Sequence, residues 1–364
     1  MSILNDKGYW RGIIVEVNDE LVARRWMVRE EELDDEQYEI KSLRTDNYLI
    51  NGCAGSGKTI LALQKAKEIQ DLNLGTYLVI IFTHTLKNFI KDGITSLGLD
   101  PDRVCNYHSL DKNGFVSADY IIVDEIQDFK REQIDKLKNM ARKNFVFFGD
   151  DAQQIYGLKN NNINLNEIQV FADIASNNHK KLDKNYRLPK SIADFAQKLH
   201  SNAGNLAGRC TKLTGDKPLV LKCINTSEQL DYIVNLVRNE TLQDVGILVG
   251  TNKDIELLKD YFENIEFDAE YKYYEERENN KKLVSNLDFY TSKPKVMTYH
   301  SSKGLQFEHV FMPLCEYDYV NNNFREAMYV AITRTSQRLI VLYSGILSPF
   351  IQSIDSVLYE HDIK

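Results

Sequence analysis

A chain of 364 residues with 43% hydrophobic and 27% charged side chains can bury a large core, and its length suggests two domains or slightly more. Its formal net charge of −8 argues against broad nonspecific attraction to nucleic acid, which needs a net basic surface, but leaves room for a local basic groove. The five cysteines are far apart with no CxxC pair, no amino-terminal apolar stretch reads as a signal peptide, and no run reaches membrane-spanning length, so zinc, a disulfide framework and a membrane partner are not expected and the expected compartment is the cytoplasm.

In chain order, Gly8 to Val28 alternates loosely and reads as two short strands around a turn at Asn18-Asp19, a small appendage or docking element. From about Glu31 the pattern becomes α/β. Tyr48–Asn51, Thr76–Thr83, Tyr120–Glu125 and Phe145–Asp150 are continuous apolar runs, as buried parallel strands are. Helical segments lie between them, among them Lys58–Gln70 and Arg131–Ala141. Strands alternating with helices indicate a doubly wound parallel sheet. A second such pattern starts near Pro218, with candidate strands "LVLKCI", "VGILVG", "KVMTYH", "HVFMPL" and "RLIVLY". The boundary is expected between Ser201 and Asp216, where Gly and Asn cluster. The division is an appendage over 1–30, a first α/β domain over 31–208 and a second over 209–364. Lys159–Glu167 and Tyr271–Lys282 read as exposed and mobile, being polar without a clear period.

Gly52 to Thr59 is GxxxxGK[ST] in full, "GCAGSGKT", between a strand and a helix. Gly52, Gly55 and Gly57 let backbone N–H groups turn inward around phosphate oxygens, and Ser56 lies within the same loop. The helix behind the loop adds its positive end. Lys58 is placed to reach the β- and γ-phosphates and Thr59 to bind Mg²⁺, so a nucleoside triphosphate, ATP, is the expected cofactor. The acid such a site needs comes from "YIIVDEIQDF": Asp124 to hold Mg²⁺ and Glu125 to polarise the attacking water. Two arginines, Arg187 before the helix marked by Pro189 and Arg334 at the end of an apolar helix, are candidates to offset charge developing on the γ-phosphate.

These motifs resemble superfamily 1 helicases of the UvrD/Rep type, in the family's order, over about Leu33 to Tyr343. The resemblance implies two RecA-like P-loop NTPase domains with parallel sheets. It implies Gln37 as adenine reader, Gln153 as γ-phosphate sensor and Tyr186 as a ring stacking on adenine. "TYHSSKGLQFEHV" carries Gly304 and, where the family usually has a ribose-binding Glu, Gln306. By family position, Thr83, His84, Tyr107, His108, Thr298 and His300 are the candidate nucleic-acid contacts. Two large insertions usual in the family look absent: only about ten residues separate Leu110 from Tyr120, and only the Tyr271–Lys282 segment stands in the second place. The third motif continues to Leu158-Lys159 where an aromatic residue and arginine are usual, which predicts a weaker grip on single strands, since base stacking is worth roughly 1–3 kcal/mol per base. The leading expectation is an ATP-dependent motor moving 3′ to 5′ on single-stranded DNA. The rival expectation is an ATPase switch subunit that senses nucleic-acid ends and controls a partner nuclease or effector, in DNA repair or anti-phage defence.

Overall fold

The computed structural model describes residues 27–43, 46–153, 162–200, 204–277, 280–316 and 322–363. The first lobe runs α1 (Asp35–Lys41), β1 (Tyr48–Gly52), α2 (Lys58–Asp71), β2 (Tyr77–Ile81), α3 (His84–Phe89), α4 (Lys91–Ser96), β3 (Val104–Asn106), β4 (Ala118–Val123), α5 (Arg131–Met140), β5 (Ala141–Gly149), α6 (Leu165–Phe171) and β6 (His179–Leu182). Its six strands form one parallel sheet in the order β3-β2-β4-β5-β1-β6. A connecting unit follows: β7 (Asn185–Pro189), α7 (Lys190–Ala196) and β8 (Cys210–Lys212), the two strands pairing with each other.

The second lobe runs β9 (Leu219–Cys223), α8 (Thr226–Asn239), β10 (Val245–Val249), α9 (Asn252–Asn264), β11 (Glu270–Arg277), β12 (Asn280–Ser285), β13 (Lys295–Thr298), β14 (Phe307–Met312), α10 (Asn322–Ile332), β15 (Thr335–Ser344), α11 (Pro349–Gln352) and β16 (Glu360–Ile363). Its sheet order is β12-β11-β13-β10-β14-β15-β9-β16, parallel except for the β11–β12 hairpin. Together these are the two RecA-like α/β units.

The apolar strands are buried on both faces, and the period of two decides which core each residue enters. On β2, Tyr77, Val79 and Ile81 enter a core shared by both lobes, while Leu78 and Ile80 enter a core private to the first lobe. On β13, Met297 enters the shared core and Val296 the second lobe's own. Both sheets therefore present one face to the seam between lobes. Phe89 of α3 meets Phe289 edge-on across that seam, with ring centroids 5.3 Å apart.

Two expectations are corrected. Tyr271–Lys282 is mostly a hairpin, with Tyr271 and Tyr273 buried in the second lobe's core. The alternating tyrosines were the period, masked by the charges between them. Of Lys159–Glu167, the first residues lie outside the described ones. From Asn162 the segment is packed: Asn162 is 3% exposed and donates to the carbonyls of Gln127 and Asp128 at 3.3 and 3.1 Å, and Asn164 caps α6. The N-terminal strands expected within Gly8–Val28 lie outside the described residues except for Met27 and Val28, which are in no strand, and Leu158-Lys159 lies outside them too. No described helix is long and apolar enough to cross a membrane.

Candidate nucleotide cleft and nucleic-acid groove

The P-loop leaves the end of β1, the strand between β5 and β6, and enters α2 directly. Gly55 and Gly57 have φ of +72° and +89°, the left-handed region open to glycine. A Cβ on Gly55 would also stand 2.6 Å from the Asn185 side-chain oxygen and 2.7 Å from Arg187 Cβ. The loop thus turns inward against β7. Lys58 is 6% exposed, and its ammonium donates to the carbonyls of Gly52 at 2.7 Å and Cys53 at 3.2 Å. Thr59 Oγ1 donates to Asp124 Oδ2 at 2.6 Å. A hydroxyl and a carboxylate side by side are hard oxygen donors of the kind Mg²⁺ takes, with phosphates and waters completing its shell.

Asp124 is fully buried, and burial, then the neighbouring Glu125 charge, pushes its pKa up to about 6. Burial also pushes Glu125 upward, but the cations around it, Lys303 first and then Lys58 and Arg334, outweigh burial and hold it below its ordinary value. The two acids thus stand in different surroundings, Asp124 against the Thr59 hydroxyl and Glu125 among the cations Lys303, Lys58 and Arg334. Glu125 also sits at φ 57° and ψ 44°, a left-handed backbone rare for a side-chain-bearing residue, of the kind stored at working sites.

Arg334 is 1% exposed and comes from the second lobe, just beyond α10. Its Nη2 donates to Gln153 Oε1 at 2.6 Å, and the Gln153 amide donates to Asp150 Oδ2 at 2.6 Å. Gln153 therefore joins the second lobe's arginine to an acid at the end of β5. Arg187, on β7, donates to Gln306 Oε1 at 3.1 Å and to the Thr333 carbonyl at 3.2 Å. Burial, then the like charge of Arg334, lowers the Arg187 pKa to about 9. Two guanidiniums held this close and this deep favour an anion with several charges between them.

At the other end of the cleft a capping box fixes Gln37. Asp34 caps α1, accepting from the Gln37 N–H at 2.9 Å, and Gln37 Nε2 donates to the Ser56 carbonyl at 3.0 Å. The Tyr186 hydroxyl and the Lys184 ammonium both donate to Asp34. Gln37, Gly55, Ser56, Gly57, Lys58, Thr59, Glu125, Gln153, Tyr186, Arg187, Gly304, Gln306 and Arg334 all line one cleft of about 270 Å³. Met27, Val28, Phe89 and Ile90 add apolar wall. Asp124 lies behind Thr59, which donates to it, and Gly52 closes β1 at the start of the loop.

Sequence reasoning assigned no role to Lys303. It is 3% exposed and crosses from the second lobe to pair with both Asp128 oxygens at 2.7 and 2.8 Å, donating also to the Gln153 carbonyl. Its ammonium stands 3.8 Å from Glu125. Lys303 lies in "HSSKGLQF" and Asp128 is the last acid of "DEIQD", but neither segment carries a sign that the two pair.

The six nucleic-acid candidates lie outside the cleft. Thr83 caps α3, its Oγ1 accepting from Leu86 N at 3.1 Å, and Thr298 Oγ1 accepts from Ser301 N at 3.2 Å. Both hydroxyls keep their own O–H to donate. His84 and His108 are exposed and His300 half-buried. The half-buried Tyr107 ring packs edge-on against Phe129 at 5.4 Å and His108 at 5.5 Å. Burial first, then the positive charges of His108, Lys87, Lys272 and Lys112, holds the His84 pKa below its ordinary value. Lys87, Lys272 and Lys112 thus bring positive charge to bear on His84 in an otherwise acidic chain.

The chain matches the viral superfamily 1 RNA helicase core domain family over residues 48–343. It is 28% identical to the ATP-dependent DNA helicase PcrA of Staphylococcus aureus over 153 residues, 39% of this chain and 21% of that protein. It is 30% identical over 141 residues to a probable DNA helicase II homolog of Rickettsia felis, 36% of this chain and 21% of that one. The matched parts thus span about a fifth of these relatives. The C-terminal domain of a possible DNA helicase from Lactobacillus plantarum WCFS1 aligns at 20% identity and a TM-score of 0.37, covering 48% of this chain and 98% of that one, a likeness too low to bear on the fold. The family match spans most of the chain, and the chain belongs to the superfamily 1 helicases.

Proposed function

We propose that this chain is an ATP-driven motor on single-stranded DNA, hydrolysing ATP in the cleft between its lobes and moving 3′ to 5′. The observation that carries the reading is the convergence of P-loop, Glu125, Gln153 and two arginines on one cleft drawn from both lobes, with Asp124 bonded behind Thr59. Lys58 and the loop N–H groups bind the phosphates. Thr59 and Asp124 hold Mg²⁺, which when bound neutralises phosphate charge. Glu125 takes the proton of the attacking water, while Arg187 and Arg334 offset charge on the γ-phosphate. Gln37 and Tyr186 flank the base. Because Arg334 and Gln306 come from the second lobe, occupancy of the cleft favours lobe closure.

The second reading is an ATPase whose strand coupling needs a partner protein. It is favoured by the short turn and the hairpin that stand where larger insertions are usual. Hydrolysis by the purified chain, with and without single-stranded DNA at low salt, separates the two. The motor reading expects strong stimulation by DNA. Equal turnover in both conditions would turn the reading to the partner-dependent switch.

A further inference from the structure

Among the described residues five lysines are buried: Lys58, Lys65, Lys272, Lys295 and Lys303. Four have partners. Lys58 donates to loop carbonyls, Lys65 pairs with Glu68 at 2.6 Å, Lys295 with Glu270 at 3.0 Å and Lys303 with Asp128. Lys272 is 9% exposed, and no hydrogen bond or ion pair from its side chain is found among the described residues. A largely buried cation without a counter-ion is costly, and an outside anion that reaches its ammonium would offset that cost.

The register says which way Lys272 faces. On β11, Tyr271 and Tyr273 enter the second lobe's own core. Lys272 therefore points to the opposite face, in register with Met297, which enters the core at the seam. Met297 is the penultimate residue of β13, so Lys272 stands near the carboxyl end of that strand, where Thr298 and His300 follow. Across the seam, Lys272 is one of three lysines, with Lys87 and Lys112, whose charge acts on His84. Only burial acts on Lys272 itself, lowering its pKa to about 8, and no carboxylate offsets it.

We propose that Lys272 is a phosphate contact of the single strand, one that the second lobe contributes from the hairpin standing where an accessory insertion is usual. The proposal rests on the strand-binding part of the proposed function and names a residue for it. The ligand class is a single-stranded nucleic-acid backbone, because the cations come from separate elements on both lobes, as a chain of phosphates needs, not one compact anion.

The test compares the parent chain with Lys272→Met, which keeps the apolar stem in place. Binding of a fluorescent oligo-dT and an oligo-rU is titrated across salt, and Tm is measured alongside. One lost phosphate contact makes the slope of log affinity against log salt shallower by about 0.7. The variant is also expected to bind roughly threefold to tenfold more weakly at low salt. Its Tm should be equal to or above the parent's, because an uncompensated buried charge has been removed. Lys272→Arg should restore the slope. An unchanged slope in Lys272→Met overturns the proposal, and a fallen Tm with that unchanged slope marks a structural lysine instead. Failure of the parent to bind either strand at any salt removes the strand reading itself, a result visible before any variant is made.

Discussion

The nucleotide cleft and the strip around His84 are built on opposite plans. In the cleft nearly every polar group already has a partner: Lys58 with carbonyls, Thr59 with Asp124, Arg334 with Gln153, Arg187 with Gln306. Around His84 the Thr83 and Thr298 hydroxyls accept from backbone N–H groups, His84 and His108 are exposed with His300 half-buried, and one buried lysine's side chain stands unpaired among the described residues. The difference follows from the ligands. A small, highly charged triphosphate is gripped by buried groups that must be held rigid beforehand. A strand is gripped weakly at many points, so each point is modest and exposed. Damage in the cleft should therefore be severe and local, and damage in the strip graded and dependent on salt.

The sharpest break is Arg334→Ala. Loss of a γ-phosphate arginine is expected to lower turnover by about 10³-fold or more, and the Gln153 bridge goes with it. Glu125→Gln should lower turnover by about 10²–10⁴-fold while ATP still binds, which filter binding of labelled ATP checks. Normal hydrolysis by that variant would mean another group is the base. Chelation of Mg²⁺ by EDTA should stop hydrolysis, and added Mg²⁺ should restore it.

Lys303→Met probes the seam between the two plans. It leaves Asp128 buried without its cation, an expected loss of about 3–5 kcal/mol in urea unfolding. Replacing Asp128 by Leu in the same chain should recover most of it. In the strip, Tyr107→Ala should weaken strand binding by a factor of several to about a hundred if the ring stacks on a base, read by titration with oligo-dT. An unchanged affinity would assign Tyr107 to its packing on Phe129 alone. The smallest effect is expected from Gln306→Glu, which restores the usual family residue beside Arg187. Turnover should stay within about threefold, since either side chain accepts from the guanidinium at the observed 3.1 Å.

Much of this was legible in the chain. Continuous apolar runs marked β1, β2, β4 and β5, and "GCAGSGKT" and "VDEIQD" placed the P-loop and the acids. Short edge strands were not legible, because β3 and β6 have three and four residues and little apolar pattern. The β11–β12 hairpin was missed because charge hid the alternation of Tyr271 and Tyr273. Lys303 was missed because its partner Asp128 lies 175 residues away, and pairing across lobes leaves no local trace. Lys272 reads as one more charge in a polar run. Only the register of β11 on β13 turns it toward the seam.

The central claim is that cleft and strip belong to one coupled device within this chain. Linkage makes it measurable without catalysis. The affinity of Glu125→Gln for oligo-dT is compared with and without saturating Mg-ATP, and its affinity for ATP with and without oligo-dT. The account predicts that each ligand changes the other's dissociation constant by the same factor, about 5–150-fold. Equal affinities in all conditions would contradict it, leaving two sites that share a chain without sharing free energy.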